Sequence, residues 1–286
     1  MSPHTTSTPP TTTPTTYDAA LTLLAERERP LVVLTGAGLS TDSGIPDYRG
    51  PGSVPRTPMT YDEFRASPAN RQRYWARSHL GWQRIGVAHP NAGHRALVEI
   101  DPELLITQNV DGLHEQAGSP RVVALHGRVS EVICLGCGRI RARAEVQDWL
   151  DALNPGWTER HRHIEQLPDG DVALEETSDF VVPPCPDCGG DLKPHVVFFG
   201  ESADKALVAR CFAAVDALAG TGGALLVAGS SLTVMSGLRF ARRAAKIGVP
   251  LVIVNRGATR GDELATIKVE AGTSAFLTDL AARRHP

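Results

Sequence analysis

The chain lacks any apolar run near the roughly 20 residues needed to cross a bilayer, so no membrane span is expected. It also lacks a secretory leader pattern, and its first residues have neither the arginines nor the amphipathic spacing of an organelle-targeting peptide. No charge of either sign dominates: 29 Lys and Arg face 32 Asp and Glu, for a net charge of -3. That balance leaves no electrostatic footprint for nucleic acid or an anionic lipid surface. Cysteine is scarce, at five residues. With no secretory pattern, this argues against a disulfide scaffold and for a reducing, cytoplasmic setting. A further gap lies after the first apolar run. In Gly36-Ala37-Gly38-Leu39-Ser40-Thr41, Thr41 stands where an ordinary dinucleotide fingerprint has its third glycine. No acidic residue is evident at that fingerprint's position for the adenosine ribose. Both gaps count against a hydride-transferring dehydrogenase.

What is present supports a folded core. Hydrophobic residues make up 42% of the 286, enough for one large domain or a large domain with a small insert. Residues 1–16, mostly Thr, Pro and Ser, have no apolar periodicity and are expected to be a disordered tail. From Tyr17 the spacing of Ala20, Leu21, Leu23 and Leu24 predicts a helix running towards Pro30. Short apolar runs at 31–34, 104–106, 122–125, 224–228 and 251–254 read as buried strands, with helices between several of them, notably over 203–218 and 237–247. Fully apolar strands alternating with helices indicate α/β architecture: a doubly wound, Rossmann-like parallel sheet covered on both faces. In such sheets ligands bind beyond the carboxyl ends of the strands. Polar or glycine-bearing segments follow each run there: Gly36, Gln108-Asn109-Val110-Asp111, His126-Gly127, Gly229-Ser230-Ser231 and Asn255-Arg256-Gly257.

Residues 132–190 break the alternation and read as an inserted module, with the Rossmann-like domain formed by 17–131 and 191–286. The insert carries Cys134-Leu-Gly-Cys137-Gly and Cys185-Pro-Asp-Cys188-Gly-Gly. Each pair places two thiolates on one tight turn, half of a tetrahedral Zn-S4 site. Reduced buried cysteines or a redox dithiol are the other readings, and two independent pairs each followed by glycine favour one zinc. The segment from Cys137 to Cys185 is far longer than the roughly 15–20 residues of an ordinary ribbon, so an added helix and loop are expected. Sulfur at all four positions leaves no open coordination site, so this zinc is structural.

The Gly36 loop alone is compatible with a capping turn, and a lone histidine is more often structural. His94 in "HPNAGH" is expected to pack within a helix. His126 differs in ending an apolar strand, with Gly127 leaving room beside the ring. Asn109 and Asp111 follow another strand, and short directional polar groups of this kind suit a sugar diol.

These motifs together resemble the sirtuins, NAD-dependent protein lysine deacylases, from about residue 17 to 280. The resemblance rests on "GAGLSTDSGIPDYRG", "HPNAGH", "TQNVDGLHEQAG", "LHG", the two cysteine pairs, "LKPHVVFFGE", "AGSSLTV" and "VNRG". The "RYWAR" segment, the long insert and "PPCPDCGGDLKPHVVFFGE" look most like the class II branch. The resemblance implies that NAD is consumed as a co-substrate. Gly36, Ala37, Gly38 and Ser40 would approach the pyrophosphate and ribose. A segment through Asp47, Tyr48 and Arg49 would close over them, and Gln108, Gly229, Ser230, Ser231, Asn255, Arg256 and Gly257 would complete the dinucleotide site. Asn109 and Asp111 would hold the nicotinamide ribose and carboxamide, and His126 would act as general base on a ribose hydroxyl. An acyl-lysine protein segment would add as a strand between Val197-Phe198-Phe199-Gly200 and Leu232 to Val234. Products would be lysine, nicotinamide and O-acyl-ADP-ribose. Mono-ADP-ribosyl transfer in the same site and a non-catalytic zinc-ribbon module are the competing readings. Tyr74 and Arg77 form a Y-x-x-R pair of the kind that reads an acidic acyl group, although neutral acyl chains are the expected substrates. The oligomeric state is left open.

Overall fold

The computed structural model describes residues 15–285 except 27, 48–57, 162–173 and 175, and leaves the side chains of 83–85 undescribed. In chain order the first elements are α1 (Thr16–Leu24), β1 (Leu31–Thr35), α2 (Tyr61–Ala66), α3 (Pro68–Ile85), α4 (Ala92–Ile100), β2 (Leu104–Thr107), α5 (Leu113–Ala117) and β3 (Val122–Ala124). Next come β4 (Gly127–Cys134), β5 (Ile140–Ala142), α6 (Arg143–Leu153), α7 (Trp157–His161) and β6 (Leu192–Val196). The chain finishes with α8 (Lys205–Ala217), β7 (Ala224–Ala228), α9 (Met235–Lys246), β8 (Leu251–Val254), β9 (Ile267–Val269) and α10 (Thr273–Arg284).

Six strands form one parallel sheet in the order β3-β2-β1-β7-β8-β9. Successive side chains of a strand point to opposite faces, and here both faces are covered. Leu31, Val33, Leu226 and Val252 pack with α1, α4 and α10, while Val32, Leu34, Leu225, Val227 and Ile253 pack with α8 and α9. That is why the strands read as unbroken apolar runs. The strand order reverses direction between β1 and β7, so the crevice of the sheet opens at their carboxyl ends.

A second, antiparallel sheet has the order β5-β4-β6. It extends from Gly127 to Val196, beyond both bounds of the expected 132–190 insert. Its apolar cluster also recruits Trp75, Ala76 and Leu80 from α3, packed with Val132, Val146, Leu150, Trp157, Phe180 and Leu192. The Trp75 indole N–H donates to the Leu192 carbonyl over 2.9 Å, which satisfies its one polar atom inside the cluster. The added helix expected between the cysteine pairs is α6, with α7 following it; the expected loop there falls largely outside the described residues.

Two expectations at the N-terminus need correction. Thr16 lies in α1, not in a tail, and Thr15 caps that helix by accepting the N–H of Asp18. The helix also stops at Leu24, well before Pro30, because buried Arg284 of α10 draws the following carbonyls together. Its guanidinium donates to Leu24 at 2.9 Å, Glu26 at 3.0 Å and Arg29 at 3.2 Å.

Candidate active site

The ends of β1, β2, β3, β7 and β8 line a cavity of about 1140 Å³. At the strand-order reversal two glycine loops lie back to back. Gly38 N–H donates to the Gly229 carbonyl over 2.9 Å, and Gly36 N–H to the Ala228 carbonyl over 3.1 Å. A Cβ on Gly36 would stand 2.7 Å from the Gly229 oxygen and 2.7 Å from Ser230 Cβ, so no larger residue fits without moving backbone. The chain then turns into a 3-10 helix, Ala37–Ser43. Glycine thus lets the β1 and β7 loops touch, and both Gly36 and Gly38 line the cavity, but their N–H groups are engaged in that contact and are not the phosphate donors that the resemblance implies.

Beyond this cradle Ser40, Asn109 and Asp111 form a bonded cluster. Asn109 Nδ2 donates to the Gly36 carbonyl over 3.1 Å and lies 3.0 Å from Ser40 Oγ, whose hydroxyl donates to Asp111 Oδ2 over 2.7 Å. Leu113 N–H reaches the other Asp111 oxygen over 3.0 Å. Burial pushes the Asp111 carboxyl above its ordinary range, and the amide and serine donors offset part of that shift.

His126 sits where β3 passes into β4. The adjacent Gly127 has φ 78°, and a Cβ there would overlap the His195 carbonyl, so glycine is required at the turn. The ring is held at both nitrogens. Nδ1 lies 2.9 Å from the Gln108 carbonyl, which can only accept, and Nε2 lies 2.7 Å from Ser236 Oγ. Burial lowers the proton affinity of this imidazole and Arg239 lowers it further, while the Gln108 bond raises it; the net direction is down. The ring is therefore neutral near pH 7, with its proton on Nδ1.

The far wall is made by Val197 to Gly200 and by Leu232 and Val234. Val197 N–H donates to the His126 carbonyl over 2.8 Å, which ties this wall to the histidine. Alternate side chains diverge as they do on a strand. Phe198 is buried against Phe64 and Tyr74, whereas Phe199 is 47% exposed. Leu232 is buried at φ 53°, a left-handed conformation that few branched apolar residues adopt.

The four paired cysteines converge in the small sheet. Their sulfurs all lie within 4.8 Å of one another, with Cys134 to Cys188 at 3.4 Å and Cys137 to Cys185 at 3.9 Å. A Zn–S bond of about 2.3 Å in a tetrahedron needs sulfurs about 3.8 Å apart, so this set fits one zinc. Gly136 and Gly190 present N–H groups to Cys134 and Cys188 sulfurs at 3.3 and 3.4 Å. A Cβ on either glycine would press within 3.2 Å of sulfur.

A family model described as the Sir2 family matches residues 36–236, more than half of the chain. The chain belongs to the Sir2 family. Curated relatives of this sirtuin include NAD-dependent protein deacetylase 1 of Mycobacterium avium, 52% identical over 90% of this chain and 93% of the relative. The Streptomyces coelicolor protein of the same name is 50% identical over 94% and 91%. Among solved structures, "Sir2-p53 peptide-NAD+" superposes with TM-score 0.71 at 30% identity, covering 92% of this chain and 96% of that one. "Structure of Sir2Tm bound to a propionylated peptide" gives TM-score 0.70 at 29% identity, covering 92% and 96%.

In this sirtuin the remaining cofactor candidates Asp47, Ser231, Asn255, Arg256 and Gly257 also line the cavity, as do Ala37 and Ser230. Tyr48 and Arg49 lie outside the described residues. Gln108 lines the cavity too, but its side-chain amide accepts from Ser230 Oγ at 2.6 Å while its carbonyl orients His126. His94 packs in α4 with no exposure, as its setting in "HPNAGH" implies. Sequence reading missed Ser236 and Arg239. Their signal was faint: Ser236 directly follows Val234-Met235 and Arg239 follows Leu238, at a helix start that only the fold aims at β3.

Proposed function

We propose that this sirtuin removes acyl groups from protein lysine at the expense of NAD, giving nicotinamide and O-acyl-ADP-ribose. The observation that carries the reading is His126, a half-buried neutral imidazole with Nε2 as its acceptor, in the cavity between the back-to-back glycine loops and the 197–200 wall. The relatives named above as NAD-dependent protein deacetylases, and the neighbours solved with acylated peptide or NAD, support it.

In this reading the glycine loops border the pyrophosphate, with no side chain at Gly36 or Gly38 to keep it away. Ser40, Asn109 and Asp111 orient the nicotinamide ribose and carboxamide, and the two flanking segments receive an extended peptide by backbone pairing. NAD supplies the electrophilic ribose carbon. His126 Nε2 takes a proton from a ribose hydroxyl, a role that needs the neutral ring its surroundings maintain. Cys134, Cys137, Cys185 and Cys188 would hold a zinc that has four sulfur ligands and no site for substrate. The long inter-pair segment supports placement near class II. Among the described residues no helix is long and apolar enough to cross a membrane, and a cytoplasmic setting is the reading we adopt.

The test is incubation with NAD and an acetyl-lysine peptide. Nicotinamide together with O-acetyl-ADP-ribose is expected, and both should vanish in His126→Ala while NAD binding by calorimetry persists. Formation of NADH, or ADP-ribosylated protein without loss of the acyl group, would overturn the proposal.

A further inference from the structure

Ser236 is the second residue of α9, and its Oγ lies 2.7 Å from His126 Nε2. Because the Gln108 carbonyl takes the proton of Nδ1, Nε2 of the neutral ring has only a lone pair to offer. Ser236 must therefore be the donor. The lone pair that a general base would use is already engaged in the free protein.

The position of Ser236 is set by packing, not by a flexible tether. The next residue, Gly237, lies against the Gln108 side chain, where a Cβ would stand 2.8 Å from three of its amide atoms. Ser230 holds the same amide through a 2.6 Å bond. Gln108 and the start of α9 are thus one packed unit that grips the imidazole from both sides. Two features of α9 work against a charge on the ring. Arg239 lies one turn further along α9, and the positive end of that helix faces the ring, so both disfavour an imidazolium. The carboxylates lining the cavity include Asp111, bonded to Ser40 and the Leu113 N–H, and Glu201, paired with Lys193 at 2.9 Å.

We propose that Ser236 is a positioning residue: it holds His126 in the tautomer protonated at Nδ1 in the free enzyme and gives up Nε2 to a ribose hydroxyl when NAD binds. This rests on the deacylase reading of the site. In the exchange one O–H···N bond breaks and another forms, and no proton changes owner until the ribose hydroxyl is later deprotonated by Nε2. Free and loaded enzyme consequently feel the serine differently. A donor to Nε2 stabilises the neutral ring, so Ser236 depresses the proton affinity of His126 only while NAD is absent.

The experiment compares the native protein with Ser236→Ala and Ser236→Thr. Nitrogen NMR of labelled histidine follows His126 titration in the free protein, independently of turnover. The pH profiles of kcat/KM for NAD and of kcat at saturating NAD are then measured with an acetyl-lysine peptide, the first reporting the free enzyme and the second the complex. In Ser236→Ala the His126 titration and the acid limb of kcat/KM should move to higher pH, with kcat/KM unchanged well below the limb and raised roughly two- to tenfold above it, because NAD no longer has to displace one hydrogen bond. The acid limb of kcat should stay where the native enzyme has it, and Ser236→Thr should restore both. Limbs that move together would mean that the serine never leaves Nε2 and would overturn the exchange. A loss of kcat at every pH with unmoved limbs, or an unmoved NMR titration, would reduce Ser236 to packing. Absence of nicotinamide release by the native enzyme would sink the deacylase reading instead, and the NMR titration would still test the serine bond.

Discussion

Replacing Gly36 with Ala separates what the glycine contact contributes from what backbone freedom contributes. Gly36 has φ -135°, which any residue adopts, so alanine brings no torsional strain. The cost is steric. The new Cβ would stand 2.7 Å from the Gly229 oxygen, 2.7 Å from Ser230 Cβ and 2.9 Å from Ser230 Cα, where ordinary contact begins at 3.4 Å. Two of the three obstacles are backbone atoms, so the β1 and β7 loops must part by more than half an ångström. Overpacking of this kind costs about 1–3 kcal/mol, which for a chain of this size lowers Tm by roughly 2–10 °C. The same displacement widens the cradle proposed for the pyrophosphate. Gly248→Ala is the matched control: its φ is 73° and nothing lies within 4 Å, so it should lose about 1–2 kcal/mol to strain alone. Calorimetric melting and isothermal titration with NAD give the answer. Gly36→Ala should lose both stability and at least tenfold in NAD affinity, whereas Gly248→Ala should lose only stability. Equal NAD affinities in the two variants would refute the cradle.

Cys134→Ser or Cys188→Ser should release the metal, because binding energy at a closed site is also folding energy; metal analysis should find about one zinc per native chain and less in the variants, with a lower Tm. A zinc-free native protein of full activity would refute this. Burial holds His94 down to about 4 and His114 to about 3, against an ordinary 6.5. The unfolded chain takes up those protons below pH 6.5 and the folded chain does not, so stability is full above that value. It falls as pH drops from 6.5 towards 4, by up to about 1.4 kcal/mol per pH unit for each ring. Urea midpoints that match on both sides of that window would contradict the assignment. Arg77 donates through Nε to the Leu174 carbonyl over 2.8 Å, so neutral acyl-lysines should have higher kcat/KM than carboxylated ones and Arg77→Met should change that ratio little. A carboxylate preference that disappears in Arg77→Met would reverse this choice.

The parts legible in the sequence are those where a local pattern and its structural cause coincide. β1, β2, β7 and β8 are buried on both faces, so they must be apolar throughout, and the cysteine pairs carry their spacing and glycines with them. β9 escaped because it is a three-residue edge strand with Lys268 at its centre, which donates to the Asn255 carbonyl at 3.0 Å. α3 escaped because its buried residues, Trp75, Ala76 and Leu80, are separated by arginines and polar groups that line the cavity or contact the small sheet. The early end of α1 depends on Arg284, about as far away in sequence as the chain allows. The role of Ser236 depends on where a helix begins and on the absence of a side chain at Gly237, neither of which periodicity encodes.

The cradle joins chain segments that are synthesised far apart. Gly36 follows β1 and Gly229 follows β7, and their contact exists only because those strands pair side by side. All of the small sheet lies between them in sequence. Closing so large a loop adds little entropy beyond that of a moderate one, but contacts of such separation slow folding. A nascent chain ending before β7 would therefore carry half of the cradle proposed for the pyrophosphate and none of the serines at 230, 231 and 236. NAD binding in a refolding chain should then mark closure of the central strand pair, and the dinucleotide should stabilise the protein only from that point onward.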